Sequence, residues 1–192
     1  VTNSGVDQRI NLVHTMLVSY SEAFFDWDIT LDRLQGTSDG FMDEVHPSRN
    51  AHQADLVVLL VDDGDFCGLG YLMETPAKSF APFGFSLVNW ECSTGNFSLA
   101  HELGHNMGSE HDRANAGGSG SYPYSFGYQS PDQSFRTIMA YDCPTGCPRI
   151  NYWSNPAVFY NDRPTGVVFT SPVSADNRRS LNNTAPFVCN FR

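Results

Sequence analysis

Residues 101–111 read HELGHNMGSEH, placing three of the chain's six histidines within eleven positions, with Glu102 beside the first and glycines at 104 and 108. On a helix, residues four apart lie about 40° from each other around the axis, so His101 and His105 project from one face, one turn apart. His111 follows six positions later and would face away if the helix continued. The three rings meet only where the helix stops and the chain folds back after His105. Gly108 is placed to allow this, since glycine takes the left-handed conformation that ends helices at little cost. At this chain's own residue frequencies the His-Glu-x-x-His spacing arises by chance about 0.006 times per chain, and with the glycine and third histidine about once in 65,000 chains. An accidental group of surface histidines is therefore set aside.

Three neutral imidazoles at His101, His105 and His111 fit a tetrahedral zinc that keeps one position open, the arrangement of a catalytic site rather than a closed structural one. Glu102 is the candidate general base: a carboxylate there takes a proton from the attacking water and hands it to the leaving amine. His14, His46 and His52 have no ligand spacing and read as structural or exposed. Asp62, Asp63 and Asp65 could bind calcium, but an exposed acidic turn accounts for them without an ion.

At 192 residues the chain is long enough for one domain with a substantial core. Its 41% hydrophobic and 13% aromatic content fits a packed interior, and no apolar run approaches the roughly 20 residues needed to span a bilayer. The formal charge of -10, with Lys78 the sole lysine, repels phosphate backbones and anionic lipid, which argues against nucleic acid and membrane as partners. We expect a monomer. The five cysteines, Cys67, Cys92, Cys143, Cys147 and Cys189, fall in neither a four-ligand zinc pattern nor a CxxC redox motif. Bridges are the better reading for most of them, and they favour an oxidising compartment, extracellular or periplasmic. The chain opens on Val1 without a basic-then-apolar leader, so a signal and a pro-segment are expected to be absent or already removed.

Along the chain, residues 7–20 fit both a strand and a helix period. Residues 29–46 read as helical pieces broken at Gly36 and closed by Pro47, and ADLVVLLVDD (54–63) as a buried strand. FCGLGYLM (66–73) and FGFSLVNW (83–90) are further strands, and Gly68 and Gly70 leave a backbone that another chain can approach. Residues 96–107 are helical, with Asn96 as the cap. Residues 141–171 form an irregular lobe, and 174–185 a short closing helix before Pro186. The class is α/β with a poorly regular C-terminal subdomain.

HELGHNMGSEHD matches the metzincin signature HExxHxxGxxH, and Asp112 resembles the reprolysin or adamalysin branch of these zinc endopeptidases. FRTIMAYD (135–142) looks like the family's methionine turn, with Met139 beneath the zinc. Tyr141 instead resembles astacins and serralysins, where the tyrosine helps stabilise the oxyanion. The CGLGYLM strand, TIMAYDC, SNPAV and ADNRRSLNNTAPFV look most like bacterial reprolysin-like proteases, a group that includes peptidyl-Asp metallopeptidases.

That resemblance implies a secreted zinc-dependent endopeptidase acting on protein or peptide substrates, with a pro-segment or inhibitor as a further partner class. It implies an α+β, metzincin-like fold: a twisted mixed sheet with one antiparallel edge strand, a zinc-binding active-site helix, and an irregular lower subdomain (about 109–192) after an upper one (about 1–108). It makes 7–20 a strand, with the family's preceding strand and helix absent. Gly68, Leu69, Gly70, Tyr71 and Leu72 would pair with extended substrate by strand addition. Trp153, Ser154, Asn155, Pro156 and Val158 would wall the pocket beyond the scissile bond, and Asp112 would brace the loop next to a zinc ligand. Cys67 with Cys92 would join neighbouring strands and Cys143 with Cys147 would clip the turn after Met139, although Cys189 could take either partner of the second pair. Two other classes compete. An inactive zinc-containing peptide-binding module would be expected to lose Glu102 first, and a zinc hydrolase of non-peptide amides or esters has no use for the glycine-bearing edge strand.

Overall fold

The computed structural model describes residues 2–192, in which short sheets alternate with helices. Two compact units divide the chain, one of residues 10–71, 77–106 and 187–192, the other of the residues up to Arg9, 72–76 and 107–186. Among the described residues no helix is long and apolar enough to cross a membrane.

In the first unit, α1 (Trp27–Gln35) starts where the Asp26 carboxylate accepts the Ile29 N–H at 2.9 Å, and Gly36 follows its last residue. Trp27, Leu31 and Leu34 recur at helical spacing and bury one face against Met42, Val45, Val61, Phe85 and Leu87. Helix α2 (Val45–Ala51) contains Pro47, which corrects the expectation that this proline closes a helix. It stands in the first turn, where a backbone N–H would have no acceptor within the helix.

The sheet of this unit has the order β1-β3-β2, with β1 (Val57–Val61) parallel and β2 (Gly68–Gly70) antiparallel to the central β3 (Phe85–Asn89). All five residues of β3 are buried, as a strand covered on both faces requires. Asn89 N–H donates to the Cys67 carbonyl and Tyr71 N–H to that of Phe85, so odd-numbered residues carry the ladder to β3. The backbone groups of Gly68 and Gly70 therefore point to the open edge. A disulfide joins Cys67, just before β2, to Cys92.

Residues 7–20 are not a strand. Ile10, Leu12, Val13, Met16 and Leu17 are exposed, Leu17 at 97%, and only Val18 and Tyr20 reach the core. The alternation of apolar residues offers a face, but a strand also needs a neighbour for its backbone groups, and none of the described strands pairs with this segment.

The second unit is mostly irregular. It holds the parallel pair β4 (Glu110–Asp112) and β5 (Phe126–Gly127), the hairpin β6 (Phe159–Tyr160) and β7 (Arg163–Pro164), and most of α4 (Asn177–Val188). Buried polar side chains take the place of ladders. Ser154 Oγ donates to the Phe126 carbonyl and accepts the Asn177 N–H at 2.7 Å, while Asn155 Nδ2 donates to the Ser4 carbonyl at 2.8 Å. Trp153, Ser154 and Asn155 are buried in the interior packing. Helix α4 begins three residues later than expected and passes through Pro186, which sits in its last turn. Asp176 opens it by accepting the Arg179 N–H at 3.0 Å. The second disulfide is Cys143–Cys147, and the Cys189 thiol is free and exposed, so the first of the alternative pairings holds.

Candidate metal centre and active site

Helix α3 (Ser98–Asn106) carries SLAHELGHN with His101, Glu102 and His105 all buried. The Nε2 atoms of His101 and His105 face each other at 3.2 Å, as one helical turn predicts. Phe97, not Asn96, is the residue before the helix, and Asn96 Nδ2 donates to Cys67 Sγ at 3.6 Å. Asn106, within the motif yet missed by the sequence reading, is fully buried and donates from one amide nitrogen to the carbonyls of Tyr71 (2.9 Å) and Phe85 (3.0 Å). It fastens the end of the helix to β2 and β3. Asn106→Ala should cost about 1–3 kcal/mol in urea unfolding, because two carbonyls lose a donor where water does not reach. An unchanged midpoint would remove this role.

Gly108 has φ +87°, the left-handed conformation that the motif demanded. Ligand nitrogens of His101, His105 and His111 all lie within 4.8 Å of one another, the only group of three or more His, Cys, Asp or Glu among the described residues placed to hold a metal ion. The Asp62, Asp63 and Asp65 turn has other uses, since Asp62 and Asp63 accept the indole N–H groups of Trp90 and Trp27. Burial pushes the His111 imidazole below its usual range, with the Glu110 carboxylate 3.3 Å from Nδ1 acting against it. A neutral imidazole is the form that binds metal, and three imidazole nitrogens suit zinc.

Met139 lies at the bottom of a tight turn in which Ala140 N–H donates to the Thr137 carbonyl, and its side chain is wholly buried. The Tyr141 ring stands 4.4 Å from that of His111. Asp112 links the two segments: its Oδ2 accepts the Tyr141 N–H at 2.9 Å and its Oδ1 accepts the Asn115 amide. Arg136 and Arg149, which no motif singled out, both donate to the Ala140 carbonyl, at 3.0 and 3.1 Å, and so brace the same turn.

The edge strand is shorter than its sequence reading. Leu69 packs against the core cluster, and so does Tyr71, whose phenol donates to Asp32 at 2.7 Å and is pushed up by burial and that carboxylate. Tyr71 and Leu72 lie past the end of β2. Glu102 comes close to both Gly68 and Gly70: a Cβ on Gly68 would stand 2.5 Å from its Oε1, and one on Gly70 3.3 Å from its Oε2 and 3.1 Å from Ser86 Cβ. Glycines two apart face the same side of a strand, and here that side receives the carboxylate.

A family model described as metallo-peptidase family M12 matches residues 3–154, most of the chain. The chain belongs to this family. Relatives that align over 99% of the chain are each named peptidyl-Asp metalloendopeptidase: 43% identical in Stenotrophomonas maltophilia (strain R551-3), 40% in Xanthomonas campestris pv. campestris and 32% in Pseudomonas fragi. The chain spans less than half of the first two (44% and 43%) and 95% of the third. A solved structure titled as a chaperone-substrate complex matches 86% of this chain and 27% of its own, with TM-score 0.58 at 21% identity, a likeness of fold alone.

Proposed function

We propose that the protein is a secreted zinc-dependent endopeptidase that hydrolyses internal bonds of extended peptides beside aspartate. The observation that carries this reading is the convergence of the three motif histidines in a chain that also keeps a buried carboxylate at Glu102. His101, His105 and His111 would hold the metal. Zinc, when bound, supplies a Lewis acid that acidifies water and polarises a carbonyl. Glu102 takes the proton of the attacking water and delivers it to the leaving amine. Tyr141 donates its phenol to the developing oxyanion, and Asp112 holds that residue's backbone. The open edge of β2 accepts the substrate as an added strand through the outward groups of Gly68 and Gly70. The names of the relatives support aspartate, and the two disulfides support an oxidising location.

A quenched-peptide library, with products sequenced and a chelator as control, tests the reading. Cleavage that stops with chelator and clusters at aspartate is the expected result. Peptide binding without cleavage would leave the inactive binding module, and turnover only of small esters would leave a non-peptide hydrolase. Tyr141→Phe should lower kcat on the order of 100-fold with zinc content unchanged, as loss of one oxyanion donor does. Unchanged turnover would reduce the tyrosine to packing against His111.

A further inference from the structure

We infer that Gly68 and Gly70 are positioning residues for Glu102, forming a side-chain-free slot on the edge strand that fixes the carboxylate. This inference rests on the reading of Glu102 as the general base. Helices tolerate a glutamate in several rotamers, and a general base must keep its oxygen within hydrogen-bond reach of one proton. Here the carboxyl group lies against the bare backbone of β2, where a Cβ at position 68 would meet Oε1, Cγ and Cδ of Glu102 at 2.5–2.7 Å. On the other side of the strand Leu69 is anchored in the core. The slot has a fixed depth because three bonds hold its two walls together. The Cys67–Cys92 bridge ties the start of β2 to the loop before α3, Asn96 bonds Cys67 Sγ, and Asn106 joins the end of α3 to Tyr71, just past β2. The edge strand therefore serves the chemistry as well as the substrate.

The two roles separate experimentally. If the glycines only admit substrate backbone, Gly68→Ala obstructs binding and raises KM. If they seat the base, Gly68→Ala lowers kcat at least tenfold, leaves KM within about twofold, and leaves one zinc per chain. Gly64→Ala, at a glycine with nothing within 4 Å of its Cβ position, should match the wild type. A second readout needs no peptidase activity. Gly68→Ala should lower Tm by several degrees in the wild-type background and have almost no effect in a Glu102→Ala background, where the colliding carboxylate is gone. Should Gly68→Ala fail to fold, Gly70→Ala, whose Cβ would stand 3.1 Å from Ser86 Cβ and 3.3 Å from Glu102 Oε2, should lower kcat by a smaller factor and lose less Tm in the Glu102→Ala background than in the wild type. Equal Tm changes in the two backgrounds, or unchanged kcat, would overturn the slot. A wild-type protein inert toward every peptide would instead overturn the peptidase reading while the Tm coupling stood or fell by itself.

Discussion

Glu102→Gln is expected to retain one zinc per chain and wild-type thermal stability while losing about 100- to 10,000-fold in kcat, the range over which a positioned general base contributes. Glutamine matches the shape of the carboxyl group, so the packing against Gly68 and Gly70 survives and only the capacity to take up a proton is lost. Because that capacity is used in the transition state and not in holding the peptide, KM should move little and kcat/KM should fall with kcat. Steady-state kinetics with metal analysis on the same sample decides it: turnover within a few-fold of wild type would remove Glu102 from the chemistry.

Gly108→Ala is expected to be strongly destabilising. At φ +87° an alanine costs roughly 1–2 kcal/mol in backbone strain alone. The added Cβ would also collide with Ser121 Oγ, stand 2.7 Å from Ser121 Cβ and lie 3.1 Å from the Met73 carbonyl. These neighbours cannot simply withdraw: Ser121 N–H donates to the Gly108 carbonyl at 2.9 Å and Ser121 Oγ to that of Met73 at 2.6 Å. A total above about 3 kcal/mol follows, at the severe end for point substitutions. On the proposed ligand set zinc affinity should fall with it, because the chain leaving this glycine carries His111. Denaturant unfolding and zinc titration of the variant check both parts, and a stable variant with wild-type zinc affinity would show that the reversal at Gly108 is not required.

The site was legible because its signals are local in sequence. The spacing of His101, His105, Gly108 and His111 encodes a helix and its reversal within eleven residues, and both the buried histidine pair and the positive φ of Gly108 are found. The pairing of Cys67 with Cys92, which the resemblance implied, is found. Features that depend on a distant neighbour were not legible. The apolar alternation of residues 7–20 states which side chains could share a face but not whether a partner strand exists, and the segment has no regular structure and leaves most of its apolar side chains exposed. Gly68 and Gly70 suggested an approachable backbone, yet nothing in the strand names the Glu102 side chain, 34 residues on, as one of the groups that approaches. Asn106 looks like an ordinary polar residue of the motif until its two acceptors are seen. Apart from its closing helix the second unit escaped the sequence reading, since strands of two or three residues are too short to alternate and its interior is held by serine, threonine and asparagine hydrogen bonds.

The central claim is that His101, His105 and His111 together bind one zinc ion on which peptide hydrolysis depends. Its most direct test is to strip the protein with chelator, return zinc stepwise, and follow cleavage of a quenched aspartate-containing peptide at each step. The account predicts no cleavage without metal and a linear return that saturates at one zinc per chain. Folded protein that binds no zinc, or that cleaves equally well without it, would contradict the account.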